Sequence, residues 1–185
     1  MSMISLLVLP SFASPMDEQD ISAVKETMPE IVSDTADVPH ERVMQAIPSE
    51  FPSGWFYIKS YLGDLVVTVR DGSVNTGAQI DTWSNQRSGN QLWRYTNGFL
   101  INQRSNLALS LNNDSLDAST LIVQRAAGSP RNLKQQWGYD NGAIFSHAKT
   151  DFVLDVRGSS TTQGTDIILY QSTNNNNQKW ALIPA

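Results

Sequence analysis

Three tripeptides of the form Gln-x-Trp punctuate this chain: Gln91-Leu-Trp93, Gln135-Gln-Trp137 and Gln178-Lys-Trp180. Their tryptophans stand 44 and 43 residues apart. A fixed period of that length marks one supersecondary unit copied along the chain, each copy burying its apolar face against its neighbours. Whatever these residues fold into is therefore built from three equivalent parts.

Two further segments repeat in the same register. Asp64–Val69, Asn106–Leu111 and Asp151–Val156 are apolar at alternate positions: Leu65, Val67 and Val69, then Leu107, Leu109 and Leu111, then Phe152, Leu154 and Val156. That is the period of a half-buried strand, and it turns Thr68, Ser110 and Asp155 outward. Ala78–Trp83, Thr120–Arg125 and Thr165–Tyr170 follow, with Ile80, Ile122 and Ile167 at matching core positions and Trp83, Arg125 and Tyr170 at the matching outward one. Gly72, Gly77, Gly158 and Gly164 fall between these strands, where turns need them. No segment has a helical period. Three copies of a four-strand unit predict a small closed all-β body, since closure removes exposed strand edges.

Composition separates this region from what precedes it. Of the 185 residues, positions 1–50 hold nine acidic and two basic side chains, while 51–185 hold nine Asp, no Glu and 11 basic ones. All 11 glycines lie at or after Gly54, and all five Trp at or after Trp55. Residues 1–50 read as an acidic, proline-containing extension, mostly disordered. A short amphipathic helix over 33–47 and a signal peptide over 1–13 are readings of its pattern. The second lacks a basic start and is interrupted by Pro10. The chain has no cysteine, which excludes disulfides, thiol catalysis and cysteine metal sites. Its net charge of −5 argues against nucleic acid as a partner. No apolar run reaches the ~20 residues of a membrane span. The missing disulfides and basic leader favour an intracellular protein, with secretion as the alternative. Asn113-Asp-Ser115 is a glycosylation acceptor only in the secretory pathway.

The three Gln-x-Trp tripeptides, with Leu154-Asp-Val-Arg157, Ile167-Ile-Leu-Tyr170 and Asn177-Gln-Lys-Trp180 of the third repeat, resemble the ricin B-type (R-type) lectin family over residues 54–185. The resemblance implies a β-trefoil with pseudo-threefold symmetry, in which Trp93, Trp137 and Trp180 are structural core. It implies no cofactor or metal, and a non-enzymatic lectin for galactose- or N-acetylgalactosamine-terminated glycans, held by the Asp, aromatic and Asn of a repeat.

The residues support the same chemistry. An ionised carboxylate accepts at both oxygens and so suits adjacent sugar hydroxyls, while an aromatic ring offers an apolar face to a hexose. In the third repeat Asp155, Tyr170 and Asn177 fill these roles. Gln178 is placed to fix the carboxylate, and Ile168 is an apolar wall where some family repeats carry Gln. The first repeat offers Trp83, Asn90 and Gln91, but Thr68 replaces the carboxylate, with Asp81 a substitute on the same face. The second repeat has Ser110, Arg125 and Lys134 at these positions and reads as kept for folding. The alternatives are a ricin-like toxin or enzyme-associated glycan-binding module, and a protein-binding trefoil such as a protease inhibitor. A homodimer is one route to avidity.

Overall fold

The computed structural model describes residues 50–129 and 131–185. The expectations placed on residues 1–49, namely the leader over 1–13, the helix over 33–47 and the disorder of the extension, lie outside them. Twelve strands run through the described residues. The first repeat supplies β1 (Phe56–Ser60), β2 (Leu65–Val69), β3 (Ile80–Ser84) and β4 (Trp93–Thr96). The second supplies β5 (Phe99–Asn102), β6 (Ala108–Leu111), β7 (Thr120–Arg125) and β8 (Trp137–Asp140). The third supplies β9 (Ala143–Ser146), β10 (Lys149–Val156), β11 (Thr165–Gln171) and β12 (Trp180–Pro184).

The pairing is that of a β-trefoil. β12 returns to pair with β1 along its whole length, joining the last repeat to the first. β1–β4, β4–β5 and β8–β9 continue this layer, while the hairpins β2–β3, β6–β7 and β10–β11 form a second one. β11 pairs with both β3 and β7, tying the hairpins together. The core repeats with the sequence. Ile58, Leu100 and Ile144, then Val67, Leu109 and Leu154, then Ile80, Ile122 and Ile167 are all fully buried. Trp93, Trp137 and Trp180 are buried completely, as the resemblance implies. Each donates its indole N–H to a strand carbonyl one hairpin back: Val67, Leu109 and Leu154, at 3.1, 3.0 and 3.2 Å.

The turn after each first hairpin strand repeats as well. Asp71, Asn113 and Gly158 take left-handed φ angles of 56°, 53° and 63° within short 3-10 turns. Asp and Asn tolerate this region better than other L-residues, which is why only one copy needs glycine. Phe51, just ahead of the first repeat, stacks on Tyr95 at 4.3 Å between centroids and packs against the core. Nothing in the repeat register signals this.

Replacing Trp137 with Phe keeps most of the apolar volume but leaves the buried Leu109 carbonyl without its side-chain donor. Thermal or denaturant unfolding is expected to show a loss of about 1–3 kcal/mol, the cost of an unsatisfied buried polar group. Trp93→Phe and Trp180→Phe are expected to lose similar amounts, because the three bonds are equivalent.

Candidate carbohydrate-binding site

The glutamine of each Gln-x-Trp acts as a staple. Its Oε1 accepts a backbone N–H from the loop ahead of it: Gln86, Gly128 or Thr173, at 2.8, 2.8 and 2.7 Å. Its Nε2 donates to a carbonyl at or just past the end of the strand that leads into this loop, that of Ser84, Ala126 or Gln171. The same Nε2 reaches the polar residue of the preceding hairpin: Thr68 at 3.1 Å, Ser110 at 2.8 Å and Asp155 at 2.8 Å.

This corrects one expectation. Thr68, Ser110 and Asp155 do not face solvent. They are 5%, 0% and 4% exposed, because the glutamine and its loop lie over the outward face of the hairpin. Trp83 and Tyr170 do stand outside, at 38% and 40% exposure.

In the third repeat these positions open into a cleft of about 340 Å³ lined by Asp155, Ile168, Tyr170, Asn177 and Gln178, with Arg157 and Thr173 also at its walls. Asp155 lies opposite Ile168 across the hairpin, and Tyr170 lies opposite Val153. Both Asn177 Nδ2 and Gln178 Nε2 donate to Asp155 Oδ2, each at 2.8 Å. Among the described residues Oδ1 accepts no hydrogen bond, and it is not sealed from the cleft. Burial raises the Asp155 pKa above its ordinary value of 3.8, while the two amide donors pull the other way. The result is a carboxylate oriented by one oxygen, with the other available to a ligand hydroxyl.

The first repeat has a larger cleft of about 430 Å³, with Thr68, Asp81, Trp83 and Asn90 in its lining. Its polar groups are differently committed. The Thr68 hydroxyl donates to the Val66 carbonyl and accepts from Gln91. Asn90 Nδ2, lacking a carboxylate, donates to the Val69 carbonyl at 3.1 Å. Asp81 lies opposite Thr68, but its Oδ2 accepts from Arg70 Nε at 2.9 Å. Its Oδ1 is buried without a partner among the described residues. Arg70 Nη2 also reaches Asp166 Oδ1 of β11 at 2.7 Å, and Arg70 Nη1 donates to Gln79. Asp81 is thus spent on an ion-pair network between repeats. That network was not legible in the repeat pattern: the Arg70–Asp81 bond has no counterpart in the other repeats, and Gly164 and Asp166, on the third repeat, lie 94 and 96 residues from Arg70.

The second repeat keeps the staple alone. Ser110 donates to the Ala108 carbonyl, and Arg125 leans toward Asn112 at 3.5 Å. Among the described residues no three His, Asp or Glu side chains converge as a metal site, and no helix is long and apolar enough to cross a membrane.

The family model of the ricin-type β-trefoil lectin domain matches residues 54–180. The chain belongs to this family. As a ricin-type lectin domain it is a carbohydrate-binding module, of a kind that is generally non-catalytic. The C-half of the earthworm R-type lectin, solved in complex with GalNAc, is 25% identical to it. That likeness covers 71% of this chain and 98% of the other, with a TM-score of 0.61. ThreeFoil, a designed threefold-symmetric protein, is 24% identical over 72% of this chain and 100% of that one, with a TM-score of 0.66, and shows the shared fold. Mucoricin of Rhizopus delemar is 42% identical over 52 residues, which are 27% of this chain and 35% of Mucoricin. The chain thus spans about a third of the length of that curated relative.

Proposed function

We propose that this lectin domain binds galactose- or N-acetylgalactosamine-terminated glycans in the third-repeat cleft. One observation carries the reading: Asp155 has one oxygen held by Asn177 and Gln178 and the other open, in the same cleft as the exposed Tyr170 ring. The free oxygen accepts from a sugar hydroxyl. Asn177 adds an amide beside it, Tyr170 gives a platform for the sugar's C–H face, and Ile168 closes one wall. The earthworm lectin, whose complex contains GalNAc, supports this choice of sugar.

A shallow site for one terminal sugar gives weak affinity, and millimolar binding corresponds to about −4 kcal/mol. Avidity then needs a second site or a dimer. A monomer with this site alone binds galactosides without cross-linking cells.

The pH dependence follows from Asp155. The ionised carboxylate is the stronger acceptor, so binding is retained above its pKa and lost as pH falls through it. Because burial raises that pKa, the loss is expected at a higher pH than an ordinary aspartate with a pKa of 3.8 would give. Calorimetric titration with lactose across the acidic range checks this. Lactose affinity that stays flat down to the pH of acid unfolding would remove Asp155 from the site.

A further inference from the structure

The repeat symmetry exposes a difference between the two clefts that their aromatic residues conceal. Ser60, Asn102 and Ser146 are equivalent, each facing a tryptophan of the Gln-x-Trp set across a strand pair. Two residues further on stand Leu62, Arg104 and Ala148. Arg104 belongs to the second repeat in sequence, yet it lines the first-repeat cleft. Its backbone N–H is fixed by the Gly89 carbonyl at 3.2 Å and by Asn102 Oδ1 at 3.1 Å. Its guanidinium lies against Gly72, where even a Cβ would sit 3.2 Å from Nη1. The equivalent turn positions carry Asp114 and Ser159, so glycine leaves room for the arginine at this cleft alone. Among the described residues the Arg104 side chain makes no hydrogen bond or ion pair.

The same cleft has lost its acceptor. Thr68, which occupies the position of Asp155, and Asn90 are bonded to the backbone, and Asp81 is held by Arg70. An open acceptor has been replaced by an open planar cation. We infer that the first-repeat cleft takes an anionic saccharide, one bearing a carboxylate or sulfate, with the anion on Arg104 and the sugar ring against Trp83. A guanidinium suits both anions because its donors pair with two oxygens at once. Asp71, exposed on the same rim, opposes the anion and limits its affinity. The inference rests on reading the repeat clefts as glycan sites, but not on the third repeat being the neutral-sugar site.

The test uses the full chain carrying Asp155→Asn, which silences the third-repeat cleft, with galactose, galacturonic acid and galactose 6-sulfate as probes. The Trp83 indole resonance reports on the first-repeat cleft. Galacturonic acid, galactose 6-sulfate or both are expected to shift it and galactose is not, and binding is expected to weaken with added salt. Adding Arg104→Gln is expected to weaken the acidic sugars about tenfold or more, with Arg104→Lys retaining part of the affinity, as charge-assisted pairs require. Asp71→Asn is expected to strengthen them. Binding of galacturonic acid alone marks a carboxylate site, and binding of both probes marks a general anion site. No shift with either acidic sugar, or equal affinity in Arg104→Gln, overturns the inference. Failure of the third-repeat reading shows separately, as galactose binding that survives Asp155→Asn.

Discussion

Arg70→Ala is expected to lower stability by about 1–3 kcal/mol, because it leaves the buried Asp81 carboxylate without its partner while Arg70 itself is partly exposed. The guanidinium sits between two carboxylates that face each other across strands, Asp81 of β3 and Asp166 of β11. Like charges directly opposite in a sheet repel, and Asp81 is 2% exposed, with little water to screen it. Burial already raises the Asp81 pKa even with Arg70 beside it. Without Arg70 it rises further. A carboxylate whose folded pKa is raised binds its proton more tightly in the folded state, so stability falls as pH increases from about 3.8 through the raised value. The variant is therefore expected to recover part of its deficit in acid. Adding Asp81→Val, the residue that the second repeat carries at this position as Val123, is expected to restore most of the loss, since a well-packed apolar side chain replaces a buried pair at little cost. Denaturant unfolding of the two variants at two pH values measures all three effects. A loss below about 1 kcal/mol in Arg70→Ala would mean that the network is solvated like a surface pair.

The fold was legible because the repeats copy their core. Ile80, Ile122 and Ile167 recur in register and are all fully buried, and so are the three tryptophans. Alternation within one strand correctly placed Val67, Leu109 and Leu154 inside. It misplaced Thr68, Ser110 and Asp155, because a strand's own period carries no information about what covers its outer face. That cover comes from a glutamine 23 to 25 residues later. The third-repeat residues named from the sequence do meet in one cleft. In the first repeat, Asp81 was seen to lie on the right face, but its capture by Arg70 was not, since that bond has no counterpart in the other repeats. Arg104 escaped for a related reason. It follows β5 and so counts with the second repeat, while its side chain completes the cleft of the first.

Asp155→Asn is expected to lower affinity for galactosides by about 1.5–3 kcal/mol, the worth of a hydrogen bond to a charged group. The substitution keeps the size of a side chain that is 4% exposed, so folding should be preserved. Its side-chain oxygen keeps the two amide donors, Asn177 and Gln178, so the charge is lost and an N–H2 donor replaces the oxygen that faced the cleft. At millimolar starting affinity a loss of this size, roughly ten- to a hundredfold, takes binding out of range. Tyr170→Ala should weaken binding less, since it removes the platform and leaves the acceptor in place. Calorimetric titration of the wild-type chain and Asp155→Asn with lactose is the direct measurement. The account predicts measurable binding in the first and none in the second, with unchanged thermal unfolding. Equal affinity in both, with the substituted chain folded, would contradict it.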